Sequence, residues 1–107
     1  MIKNFEYKIP LELKKSYELI LESGNELANW ELVSSNEQAG IIEWKQKFWL
    51  GLAISRIKVY LKEPRPQNTL VTIYISPPLQ IFDPANMCER IYKKLELKLN
   101  NTTVHHL

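Results

Sequence analysis

The chain has 107 residues, 45% of them hydrophobic and 24% charged, a composition suited to one globular core and too short for two. Its net charge of +2 is too small to imply nucleic acid by itself, and its single cysteine, Cys88, excludes an intramolecular disulfide and a thiolate metal site. No run approaches the roughly 18 apolar residues of a membrane span, and the opening MIKNFEYKIP lacks the apolar stretch of a signal peptide, so the expectation is a cytoplasmic bacterial protein.

Residues 4–9 alternate as a strand with Phe5, Tyr7 and Ile9 on one side. Pro10 suits the first turn of a helix, where its missing N–H costs nothing. Leu13, Tyr17, Ile20, Leu21, Gly24 and Ala28 then recur at helical spacing. Glu18, Glu22 and Glu26 form an acidic stripe on the opposite side.

Trp30 and Leu32 share one face of a short strand, with Glu31 and Val33 on the other. Ser34 to Gly40 is dense in turn formers. Ile42, Trp44, Gln46 and Phe48 next alternate with Glu43, Lys45, Lys47 and Trp49. Beyond the stretch FWLGLAI, Ile57, Val59 and Leu61 alternate with Arg56, Lys58 and Tyr60. EPRPQN reads as a polar turn, since proline is excluded from central strands. Val71, Ile73 and Ile75 then alternate with Thr72, Tyr74 and Ser76.

Asp83-Pro84 reads as an N-cap followed by proline at the first helical position. Cys88, Ile91, Tyr92, Leu95 and Leu99 mark a second amphipathic helix, with Cys88 as a small core residue. Residues 101–107 show no periodicity and are expected to be a flexible tail after a single domain spanning residues 1–100.

Sequential hairpins give an antiparallel sheet, and strands with one apolar face each need cover on that face alone. The order β-α-β-β-β-β-α therefore predicts an α+β two-layer sandwich, a four- to five-stranded, mainly antiparallel sheet with two helices on one face.

The stretch NWELVSSNEQAGIIEW, with Trp30 closing the first helical unit, Glu31-Leu32-Val33, a polar turn and Gly40-Ile41-Ile42-Glu43, resembles a family of small bacterial proteins known as a domain of unknown function. Asp83-Pro84-Ala85-Asn86 followed by Arg90-Ile91 is similar to that family's Asp-x-Gly-x-Asn opening of its last helix, with Ala85 in place of the glycine. The resemblance spans residues 5–99 and implies the fold. It implies no chemistry, because the matching residues are structural.

Catalytic groups are sparse. His105 and His106, the only histidines, occupy the tail and would need held partners to bind metal. No glycine-rich phosphate loop is present, and no serine or cysteine has a histidine placed to activate it. The sequence calls for no enzyme, metal or cofactor.

Two surfaces carry the functional expectations. The charges are segregated along the chain, summing to −4 over residues 10–38 and to +4 over residues 40–62. Alternation places Lys45, Lys47, Arg56, Lys58, Tyr60 and Tyr74 on the uncovered sheet face, a basic, aromatic-bearing patch that could hold phosphates and stack bases. The same pattern serves solubility and cross-strand packing. The second surface is the hairpin tip, where Trp49, Leu50, Leu52 and Ile54 stand where polar turn residues are usual. Left in water, each aliphatic side chain there forgoes roughly 1.5–3 kcal/mol of burial. The tip either folds over its own domain, meets a second copy or another protein, or touches a membrane surface. The reading adopted is a non-enzymatic interaction module that uses the tip, with an anion or nucleic-acid binder using the basic face as the alternative.

Overall fold

A computed structural model describes residues 2–48, 53–77 and 86–106. In chain order these form β1 (Lys3–Ile9), α1 (Leu13–Asn25), β2 (Trp30–Asn36), β3 (Ile41–Phe48), β4 (Ala53–Arg65), β5 (Asn68–Ser76) and α2 (Met87–His106). Every pairing is antiparallel, and the sheet order is β1-β5-β4-β3-β2. This is the α+β architecture expected from the alternating strands.

The core forms on one sheet face because each strand offers that face an apolar set. Ile42 and Trp44 of β3, Ile57 and Val59 of β4, and Val71, Ile73 and Ile75 of β5 are all fully buried. Tyr17, Leu19 and Ile20 of α1 and Cys88, Ile91, Leu95 and Leu99 of α2 close over them. Trp44 is the largest of these side chains. Its indole N–H donates to Asn25 Oδ1 at 2.9 Å, and its ring lies 5.5 Å from that of Trp30.

Four local features depart from the sequence reading. First, α1 starts at Leu13 and not at Pro10. Glu12 at the N-cap makes no side-chain capping bond, and the cap comes from far along the chain. Glu63 accepts the Leu13 N–H through Oε1 and the Gln67 N–H through Oε2, each at 3.0 Å. One carboxylate thus ties the helix start to the β4–β5 hairpin, satisfying a donor that the helix itself cannot.

Second, EPRPQN is only partly a turn. β4 continues through Glu63, Pro64 and Arg65, and a register shift between Lys62 and Arg65 accommodates the proline. The chain reverses at Pro66 and Gln67, where Gln67 takes φ +62°. Third, β2 extends to Asn36. Its turn is closed by Asn36 Oδ1, which accepts the Ala39 N–H at 3.0 Å, and by Gly40 at φ +68°. A Cβ at Gly40 would lie 2.7 Å from the Leu61 carbonyl oxygen, so β4 approaches too closely for a side chain there.

Fourth, residues 101–106 continue α2, where the sequence reading placed a tail. Thr103 is buried, and the Thr102 hydroxyl donates to the Lys98 carbonyl at 2.8 Å. Residues 100–103 carry no apolar stripe for a helical period to show, which is why pattern alone missed it. Asp83 and Pro84, read as the cap of this helix, lie outside the described residues.

β1 docks through its aromatic side. Phe5 stacks on Tyr92 of α2 at 4.3 Å between ring centroids, and the Tyr92 hydroxyl reaches the Glu6 carbonyl and Glu96. Burial, aided by the Glu96 carboxylate, pushes the Tyr92 phenol up to about 12. The Tyr7 hydroxyl bonds Asn100, and burial raises that phenol as well.

Three buried polar atoms occupy neighbouring places on the core face without a hydrogen-bond partner among the described residues: Trp30 Nε1, Gln46 Oε1 and Ser55 Oγ. Trp30 pairs with Gln46, and Gln46 with Ser55, in strand register. A buried hydroxyl without a partner carries about 1–3 kcal/mol of uncompensated desolvation. Ser55→Ala is therefore expected to stabilise the protein by about 1 kcal/mol, raising its melting temperature by about 4–8 °C. A lower melting temperature for the variant would show that the hydroxyl has a partner in solution.

Candidate binding face

The strand registers fix the layout of the face away from the helices. Lys47 stands opposite Ile54, and in the next row Lys45, Arg56 and Ser76 follow one another across β3, β4 and β5. The row after that reads Glu43, Lys58, Tyr74 and Asn4, and then come Ile41, Tyr60, Thr72 and Glu6. Side chains on one face of a strand recur about every 6.6–6.8 Å, and strands lie about 4.8 Å apart. Lys45, Lys47, Arg56, Lys58, Tyr60 and Tyr74 therefore share a single surface, as alternation predicts.

Much of its charge is already matched. Glu31 reaches across from β2 to Lys47 at 3.2 Å and to Lys45 at 3.8 Å. A hydrogen bond from Lys47 and the nearby lysine charges hold the Glu31 carboxyl below its ordinary range. Arg56 meets Glu43 at 3.4 Å. All these groups are accessible to water, so each pair adds little to stability. The sequence reading identifies the lysines but not their neutralisation by Glu31. That pairing depends on the register between β2 and β3, and a bulge between Leu32 and Ser34 alters the parity of the strand.

Lys58 differs. Among the described residues it is in no ion pair, and its ammonium lies 5.6 Å from the centre of the Tyr60 ring, within cation–π range. Tyr60, and to a lesser degree the Glu43 carboxylate opposite on β3, raises the pKa of Lys58, so the ammonium stays charged. Tyr60 in turn meets Tyr74 edge to face at 5.5 Å, a geometry aromatic pairs prefer. With Ile2, Glu43, Arg56 and Ser76, these three residues line an open cleft of about 490 Å³. Its contents suit recognition: an ammonium in no direct ion pair among the described residues, a guanidinium with donors left after Glu43, the Glu43 carboxylate itself, a hydroxyl, two phenol rings and an exposed isoleucine. Ile2 and Ser76 had no signal in the sequence beyond their parity with Tyr74 across β1 and β5.

At the tip, Ile54 is 38% exposed and lies beside Lys47 on this same face. Trp49, Leu50 and Leu52 lie outside the described residues. Glu18 and Glu22 of α1 are exposed, while Glu26 is bonded to Lys98 at 2.7 Å. No group of three or more potential metal ligands occurs among the described residues. Nor, among them, is any helix long and apolar enough to cross a membrane.

The fold is shared with other solved structures. An uncharacterized protein from Bacillus thuringiensis superposes with a TM-score of 0.69 at 12% identity, covering 97% of this chain and 99% of that one. A DUF4468 family protein from Bacteroides ovatus gives a TM-score of 0.50 at 12% identity over 92% of this chain and 85% of its own. A protein from Thermus thermophilus also reaches 0.50, at 10% identity over 99% of both chains. No protein-family model matches the chain, and no curated protein matches it significantly. At these identities the likeness is one of fold, in keeping with the resemblance to a small domain of unknown function drawn from the sequence, and fold alone assigns no chemistry.

Proposed function

We propose that the chain is a non-enzymatic binding module whose working surface is the open sheet face, taking an anionic partner with planar groups. The observation that carries this reading is Lys58: a cation in no direct ion pair among the described residues, beside Tyr60 and Tyr74, two strand positions from Arg56 and opposite Glu43, whose carboxylate is bonded to Arg56. An anion can bind there without first displacing an internal carboxylate from Lys58. Tyr74 and Tyr60 supply ring surface for stacking, worth about 1–3 kcal/mol per base in single-stranded recognition.

Fluorescence anisotropy with labelled single-stranded DNA as probe tests it. If Arg56 and Lys58 each meet a phosphate, counterion release weakens binding roughly sevenfold between about 50 and 200 mM salt. The Arg56→Glu, Lys58→Glu double variant is expected to bind more than tenfold less tightly. Absence of binding at low salt, or binding that ignores both salt and charge reversal, would rule the reading out.

A second reading is favoured by the exposure of Ile54: contact with a protein partner or a second copy through Trp49, Leu50, Leu52 and Ile54. That contact is apolar, so it resists salt, and Leu52→Asp should abolish it while leaving the anion affinity of the sheet face intact.

A further inference from the structure

The cleft on the open face contains one group that repels an anion. Glu43, with 20% of its side chain exposed, sits there between two cations: Arg56 donates to its Oε2 at 3.4 Å, and Lys58 stands opposite it in strand register. An ionised carboxylate only accepts hydrogen bonds and has about four lone-pair sites. The bond from Arg56 therefore leaves it room for further donors. A ligand that brought negative charge alone would meet repulsion from Glu43, whereas one that also carries donors would gain bonds from it.

The register says where those donors must sit. Glu43, Lys58 and Tyr74 form one row across β3, β4 and β5, so Glu43 and Tyr74 stand two strands apart, about 9.6 Å between backbones. Lys58 lies over the Tyr60 ring, and the Tyr60 and Tyr74 rings are nearly perpendicular, at 88°. Tyr74, 38% exposed, is thus the ring left to lie flat beneath a base. A base stacked on it extends over Lys58 with one edge toward Glu43. Arg56, beside Ser76 in the neighbouring row, keeps donors for a phosphate.

We propose that Glu43 makes this face selective for guanine in single-stranded nucleic acid, an inference that rests on the sheet-face reading above. Exposed base edges are what single-stranded recognition reads. Guanine alone among the four bases presents two adjacent donors, N1–H and the 2-amino group, which match the two oxygens of a carboxylate. Adenine and cytosine set one amino donor beside a ring-nitrogen acceptor. Thymine flanks its single N–H with two carbonyls. Each of those edges turns a lone pair toward Glu43.

The test is fluorescence anisotropy at low salt, in lithium buffer to disfavour guanine quadruplexes. It compares three labelled DNA strands of equal length: thymine alone, thymine alternating with guanine, and thymine alternating with hypoxanthine. Hypoxanthine keeps the purine ring and N1–H but lacks the 2-amino group, so it separates edge recognition from stacking. The guanine strand should bind about fivefold or more tighter than the thymine strand, the low end for a bidentate pair, and hypoxanthine should lose most of that preference. Glu43→Gln keeps the shape of the side chain and should leave the fold intact, as far-UV circular dichroism would show. It should tighten binding of the thymine strand, by removing a like charge, while cancelling the preference for guanine. Equal affinity for the guanine and thymine strands, a preference that hypoxanthine keeps in full, or one that survives Glu43→Gln would each overturn the proposal and leave the sheet face an anion site. Failure of every strand to bind at low salt would remove that reading and this inference together.

Discussion

Trp44→Ala is expected to cost about 3–5 kcal/mol, the range for deleting a fully buried tryptophan. For a domain of this size that approaches the whole folding free energy, typically about 5–15 kcal/mol. Trp44 is wholly buried in mid-sheet under α1, bonded to Asn25 and tilted against Trp30. Its loss removes a hydrogen bond, a ring contact and the largest volume in the core together. Denaturant unfolding followed by circular dichroism measures the effect. A cost below about 1.5 kcal/mol, the scale of a volume-conserving core swap, would show that α1 settles readily into the space, contrary to the close packing described.

Gly24→Ala should also destabilise, by about 1–3 kcal/mol, although helix propensity favours alanine by about 1 kcal/mol. The steric term wins because a Cβ at residue 24 would lie 2.3 Å from Trp44 Cζ2 and 2.6 Å from two further ring atoms. Contacts that short require a buried, hydrogen-bonded ring to move. The sharper test is a double-mutant cycle. In a Trp44→Phe background the missing benzo ring frees that space, and Gly24→Ala should become neutral or stabilising. Equal effects in both backgrounds would mean the two residues are uncoupled and the close approach does not limit stability.

Strand faces were legible in the sequence because a half-buried strand repeats every two residues, and β3, β5 and β4 as far as Lys62 keep that repeat without interruption. The same repeat placed Lys45, Lys47, Arg56, Lys58, Tyr60 and Tyr74 on one surface. What escaped depends on partners distant in sequence. The start of α1 is set by Glu63, fifty positions after Leu13, and nothing around Pro10 announces it. Charge segregation along the chain suggested a strongly basic patch, yet folding brings acidic Glu31 onto Lys45 and Lys47 and so removes much of the contrast. The end of α2 escaped for a local reason, since the helix continues through Asn100 to Thr103, which carry no apolar stripe. For the tip, Ile54 alone among its four residues lies within the described structure.

The placement of β1 has a consequence for how the protein is made. Its sheet neighbour is β5, with Lys3 opposite Ile75 and Ile9 opposite Thr69. A ribosome therefore delivers the first strand long before the surface that will receive it. Hairpins β2–β3 and β3–β4 can close as they emerge, whereas Phe5, Tyr7 and Ile9 wait, apolar side uncovered, until β5 has joined β4. Closing that long loop belongs among the slow, non-local steps that give β-rich domains folding times of roughly milliseconds to seconds. The earliest strand synthesised is thus among the last to be seated, and during that interval the nascent chain is most exposed to aggregation.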